Sequence, residues 1–319
     1  MAVALVGPTA SGKSATALQV ARARPGPGGV ELVSVDSMAV YRGMDLGTAK
    51  PSVGVRAEVP VHLVDLVDPD EEYTVTRFQL AAGAALEGVA ARGGRALLVG
   101  GTGLYLRSVT DHLAFPGRFP TVATALAADL DAAGPEGSVG RSAACATLHA
   151  RLVALDPVAA ARIEPGNERR LVRALEVTLG SGRPFSSFGP GLDRYPPSRI
   201  TLLGLDLDRE ESDRRIEERF TRLMDEGLLD EVRALAARPG GLSRTARQAL
   251  GYRELLTHVE DGVPLEDAVA EAIRRTRAFA RRQRAWFRRD PRIEWIDPDD
   301  DPVTVVLGHV DRDTGGSPR

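Results

Sequence analysis

Residues Gly7-Pro-Thr-Ala-Ser-Gly-Lys-Ser14 place a G-x-x-x-x-G-K-S string between a short apolar run, Ala2-Val-Ala-Leu-Val6, and a helical stretch, Ser14–Arg24. No other feature of the chain narrows its fold as far. A strand that turns through such a loop into a helix is a P-loop, whose backbone N–H groups and helix N-terminus cradle phosphate oxygens. Gly7, Pro8, Thr9, Ala10, Ser11, Gly12, Lys13 and Ser14 are therefore the candidate phosphate-binding residues. Lys13 supplies a compact positive charge, and the Ser14 hydroxyl is a candidate ligand for Mg2+.

A P-loop needs a parallel sheet around it. The runs Val30–Val35, Ala96–Val99 and Ile200–Leu207 are short, apolar and followed by turn residues, as strands buried on both faces should be. Helical stretches such as Thr76–Arg92 separate them, which predicts a doubly wound α/β core. From Phe115 the pattern turns purely helical (Thr121–Ala133, Ala143–Leu155, Pro157–Ile163, Asn167–Leu179), up to a Gly-, Pro- and Ser-rich loop ending at Ser198. The expected organisation is an α/β P-loop NTPase-like core of residues 1–114 and 199–296, interrupted by an all-helical insertion at 115–198. Two such domains suit a chain of 319 residues. Residues 297–319, rich in Asp, Pro and Gly, read as a flexible tail.

Several function classes drop out. One cysteine, Cys145, permits neither a disulfide framework nor a thiolate zinc site. The five histidines lack metal-ligand spacing, and no serine lies in a G-x-S-x-G elbow. No apolar run approaches membrane-spanning length, so the expectation is a cytoplasmic protein without a membrane partner.

Charge is unevenly spread. Of 41 basic residues only Lys13 and Lys50 are lysine, and residues 274–292 hold nine arginines against one aspartate in a chain of net charge −3. From just before that segment and through it, Val269, Ile273, Thr276, Ala280, Gln283 and Phe287 recur at intervals of four and three, predicting a long helix anchored on one side and cationic on the other. A second basic face is predicted where Asn167 caps a helix carrying Arg169, Arg170 and Arg173. Two arginine faces beside a phosphate crevice suggest a polyanion larger than a nucleotide.

Two further elements should line the crevice, since ligands bind at the carboxyl ends of parallel strands. Asp36 ends the second strand, placed either to deprotonate an acceptor or to cap a turn. The Ala96–Val99 strand ends in Gly100-Gly-Thr-Gly103, either a close approach of backbone to ligand with Thr102 offering a hydroxyl, or a glycine turn opening a helix. It lacks the Mg2+-holding Asp of nucleotide hydrolases.

Taken in order, Gly7–Ser14, Asp36-Ser-Met-Ala-Val-Tyr-Arg-Gly-Met-Asp-Leu-Gly-Thr-Ala-Lys-Pro51, Gly100-Gly-Thr-Gly-Leu-Tyr105, Arg169-Arg-Leu-Val-Arg-Ala-Leu-Glu-Val177, Gln248-Ala-Leu-Gly-Tyr-Arg-Glu254 and Arg281-Arg-Gln-Arg-Ala-Trp286 resemble the bacterial tRNA dimethylallyltransferases. The likeness covers roughly residues 3–290. It implies transfer of the dimethylallyl group from dimethylallyl diphosphate to N6 of adenosine 37, beside the tRNA anticodon. It further implies diphosphate and Mg2+ on the P-loop, with Lys13, Asp36 and Thr102 catalytic. Contacts to the anticodon stem-loop are implied for Asp36, Ser37, Met38, Ala39, Thr102, Arg169, Arg170, Arg173, Gly251, Tyr252, Arg253, Arg281, Arg282, Gln283, Trp286 and Arg288, in a monomeric enzyme. The chain departs from the family at Met38-Ala39, Phe279, Arg281 and Ala285. A small-molecule kinase, an RNA-binding protein without activity, and a transferase acting on free adenine nucleotides are the competing readings. The first and third do not need two arginine faces, and the second does not need Lys13, Ser14 and Asp36 together.

Overall fold

The computed structural model describes residues 2–189, 191–297 and 299–312. Among these residues six strands form one parallel sheet: β1 (Ala2–Val6), β2 (Val30–Ser34), β3 (Val61–His62), β4 (Arg95–Gly100), β5 (Ile200–Gly204) and β6 (Ile293–Trp295). Their order is β3-β2-β4-β1-β5-β6. The central strands are apolar on both faces because helices cover both, and two separate cores result. Val33, Tyr41, Phe78, Leu98 and Leu255 belong to one, and Val3, Leu5, Val20, Leu97 and Leu203 to the other.

The α/β class and the four strands read from the sequence are present. The edge strands β3 and β6 were not expected, for two or three residues are too short to show alternation. After β5 come two helices, Arg209–Asp225 and Leu228–Ala236, separated at Gly227, whose backbone is left-handed (φ 101°). In the helix Leu265–Phe287 the anchored stripe is Ala268, Ala272, Ala280, Gln283 and Phe287. The predicted Val269 and Ile273 pack, partly buried, against the same core as Ala268 and Ala272.

Two compact units are present, one made of the chain up to His112 and from Pro196 on, the other Leu113–Tyr195. The second has its own core of Leu126, Leu130, Leu148, Leu152, Leu171 and Leu175, contributed by the helices Pro120–Ala132, Val139–Leu155 and Glu168–Ser181. Asn167 caps the last of these by accepting from Arg170 N.

The flexible tail is a correction. Pro302–Arg312 is a helix whose Val306 and Val310 are buried against the β1 and β5 side of the sheet, and Asp311 pairs with Arg24 and Arg95. A Val-Thr-Val-Val-Leu core inside the run was outweighed by its Asp- and Gly-rich flanks. Residues 313–319 of that expected tail lie outside the described residues.

Candidate functional site

Because β4 lies between β1 and β2, the carboxyl ends of these three strands bring together Gly7, Asp36 and Thr102. The loop after β1 is wound by left-handed backbone at Ala10 (φ 64°) and Gly12 (φ 91°). Gly12 is the N-cap of the helix Lys13–Ala23 and no side chain caps it, so the first-turn N–H groups stay available to an anion. Exposed Ser14 leads that turn.

The Lys13 ammonium donates to its own loop at Pro8 O, 2.8 Å away. Burial pushes its pKa down to about 8, with Asp36 pulling it up and Arg219 pushing it further down. Arg219 projects from the helix Arg209–Asp225, its Nη1 donating to Thr9 Oγ1 and its Nη2 to Gly47 O, each at 3.3 Å. Its pKa is likewise lowered by burial and raised by Asp36. Two desolvated cations thus face one carboxylate, which leaves the site with an excess of positive charge. Sequence reading missed Arg219, because nothing in a helix with Arg214, Arg215 and Arg222 marks one arginine as inward-facing.

Asp36 stands half-buried at the end of β2. Its Oδ1 accepts from Met38 N at 2.8 Å and Ala39 N at 3.4 Å, a turn cap that fixes the carboxylate's direction. Thr102 Oγ1 accepts from Ser37 N at 3.2 Å, tying the β4 turn to the β2 turn. Thr102 is the N-cap residue of the helix Gly103–Thr110, but its hydroxyl does not cap it.

The glycines after β4 serve a purpose other than the one expected. A Cβ on Gly101 would meet Gln283 Nε2 at 2.2 Å, and one on Gly103 would meet Trp286 Nε1 at 2.0 Å. Side chains of the helix Leu265–Phe287 therefore occupy the room that a ligand was expected to fill. Gln283 is 8% exposed. It accepts from Thr9 N at 2.8 Å and donates to Gly101 O at 2.9 Å.

Several residues expected to touch RNA already have partners within the protein. Tyr252 is fully buried, its hydroxyl donating to Glu231 and accepting from Gly47 N. Gly251 and Ala39 are buried as well, and Met38 packs on the core. Arg288 is paired with Asp206 at 3.0 Å and lies over the Trp295 ring. In the helical unit Arg173 is paired with Glu176 and donates to Pro116 O. The spacing of these residues is helical, but spacing does not say which face a partner covers. Arg169, Arg170, Arg253, Arg281 and Arg282 are exposed. Arg281 and Arg282 make no ion pair among the described residues, whereas Arg274, Arg275, Arg277 and Arg284 are matched by Glu271, Glu217 and Asp206.

Lys50, unexplained by the sequence, has a side chain only 1% exposed. It donates to Tyr41 O, to Asp45 Oδ1 at 2.8 Å and to Asp65 Oδ1 at 2.6 Å, closing the loop that begins at Asp36.

Among the described residues no group of three His, Cys, Asp or Glu side chains is arranged to hold a metal ion, and no helix is long and apolar enough to cross a membrane.

The family model described as IPP transferase matches residues 39–290. The tRNA dimethylallyltransferase of Salinispora arenicola is 48% identical over 92% of this chain and 82% of its own length. That of Kineococcus radiotolerans is 47% identical over 95% and 93%. The crystal structure of the tRNA isopentenylpyrophosphate transferase from Bacillus halodurans superposes with TM-score 0.67 at 34% identity, covering 97% of this chain and 95% of that one. A eukaryotic dimethylallyltransferase acting on tRNA shares the fold, with TM-score 0.71 at 24% identity over 93% and 73%.

Proposed function

Because the chain belongs to the IPP transferase family, we propose that it transfers the dimethylallyl group of dimethylallyl diphosphate to N6 of adenosine 37 in tRNA. One observation carries the chemistry: an anion cradle made of uncapped N–H groups, Lys13 and Arg219 adjoins a carboxylate held in a fixed direction.

The diphosphate sits on the Gly7–Ser14 loop, where Lys13 leaves Pro8 O for a phosphate oxygen and Arg219 pairs with another. The Ser14 hydroxyl, exposed in the first turn of the helix, would be the protein's ligand to Mg2+, an ion that keeps several waters and takes phosphate oxygens. When bound, the ion supplies charge neutralisation of the leaving diphosphate. In the transfer the N6–C1 bond forms, the C1–O bond to diphosphate breaks, and the N6 proton passes to Asp36 Oδ2, the oxygen that Met38 and Ala39 leave free. Thr102 keeps the Ser37 backbone beside that carboxylate. Positioning and charge stabilisation do the rest. A base in an anticodon loop reaches such a crevice only by leaving its stack.

Arg169, Arg170, Arg253, Arg281 and Arg282 hold the RNA backbone. Replacing Arg281 and Arg282 together by alanine makes the fall of log affinity with log salt shallower, its slope less negative by about 1.4–1.8. Arg284→Ala, which removes a partner of Asp206, gives no comparable change in slope. Equal slopes in all three proteins would remove these residues from the interface.

The function itself is tested by incubating the protein with unmodified tRNA and dimethylallyl diphosphate and digesting the product for mass spectrometry. N6-dimethylallyladenosine at position 37 is expected. Transfer of phosphate from ATP to a small acceptor in a parallel assay, with no prenylated nucleoside in this one, would support the kinase reading instead.

A further inference from the structure

Gln283 belongs to the basic helix, yet its amide faces away from solvent and joins the two walls of the crevice. One wall is the phosphate loop, reached at Thr9 N. The other is the turn after β4, reached at Gly101 O one residue before Thr102. An amide presents an acceptor and a donor on one rigid plane, so a single side chain satisfies both backbone groups. A carboxylate, an ammonium or a thioether cannot. The missing Cβ of Gly101 is the matching half of the arrangement, since any side chain there would push the amide out. Trp286, one turn on, seats the same helix on Gly103.

We propose that Gln283 is a positioning residue for the diphosphate: the crosspiece that holds the Thr9 end of the phosphate loop at a fixed distance from the Thr102 wall. It makes no contact with the reacting atoms and none with RNA. Its effect passes through Thr9, whose hydroxyl also receives Arg219, so the amide governs both the loop and the approach of one of its cations. The inference rests on the reading of Gly7–Ser14 as the diphosphate site.

The test measures inorganic diphosphate binding with Mg2+ and no tRNA, by calorimetry. Wild type binding no diphosphate would sink the functional reading itself. Given wild-type binding, Gln283→Met removes both hydrogen bonds at similar volume and raises the Kd about tenfold. In steady state the same variant raises KM for dimethylallyl diphosphate and leaves KM for tRNA unchanged. Gln283→Glu gives the discriminating signature. Protonated, its carboxyl accepts from Thr9 N and donates to Gly101 O as the amide does; ionised, it sets an oxygen anion against a carbonyl. Its diphosphate affinity relative to wild type should therefore recover as pH falls, while the Gln283→Met ratio stays flat. Gly101→Ala, which displaces the amide without altering it, should reproduce the Gln283→Met phenotype. Unchanged diphosphate affinity in folded Gln283→Met, or a Gln283→Glu ratio independent of pH, overturns the proposal. A rise confined to KM for tRNA would return Gln283 to the RNA interface.

Discussion

Asp36→Asn binds tRNA as the wild type does and transfers the prenyl group about 10²–10⁴-fold more slowly. Asparagine keeps an Oδ1 that accepts from Met38 N and Ala39 N, so the turn after β2 and the tie from Ser37 to Thr102 survive. What disappears is the basic oxygen that takes the N6 proton. Single-turnover transfer with pre-bound tRNA, beside direct tRNA binding, measures the two effects separately. Wild-type turnover would dismiss Asp36 as the base. A second consequence comes from its neighbour: Asp36 raises the Lys13 pKa, so losing its charge lets that ammonium deprotonate at a lower pH than about 8. Donor binding in the variant should weaken at correspondingly lower pH.

Lys13→Met weakens diphosphate binding by about 2–4 kcal/mol, roughly 30- to 1,000-fold. The methionine fills the stem's volume but leaves the loop one charge short and Pro8 O with only its weaker donor, Ser11 N at 3.3 Å. The sign of the pH dependence follows from the shifted ammonium. A bound anion favours the protonated lysine and raises its pKa above the free value of about 8. Below that value Lys13 is charged in both states and contributes fully. As pH rises through it the free protein must take up a proton to bind, and affinity falls by up to about tenfold per pH unit. The ratio of wild-type to Lys13→Met affinity, followed from neutral to alkaline pH, isolates this effect from titration of diphosphate itself. A ratio constant across that range would refute the role of Lys13.

The P-loop was legible because its glycine and lysine spacing is a backbone requirement, which sequence states directly. Asp36 and Thr102 were legible for a related reason: parallel strands end at the ligand crevice, so the residue after a strand is placed by topology alone. The glycines after β4 were legible as a close approach, though not in what approaches, since Gln283 and Trp286 arrive from about 180 residues downstream. Arg219 illustrates the opposite limit. Its inward direction depends on how the helix Arg209–Asp225 docks, and Thr9 Oγ1 and Gly47 O, which receive it, are remote in sequence. The basic helix shows the same limit from the other side. Composition counts nine arginines there, but acidic partners elsewhere in the chain decide which remain open to a polyanion.

The placement of β1 also bears on the order in which this protein can assemble on the ribosome. β1 is made well before β5, yet β5 is one of its neighbours, and its apolar flank is covered by Val306 and Val310. A nascent chain that has reached residue 195 already contains every residue of the helical unit's core, while β1 still lacks β5 and the helix that shields it. Contacts of such sequence separation form late. The phosphate loop is thus synthesised long before β5 and the helix Pro302–Arg312, and acquires its complete support only after both have been made.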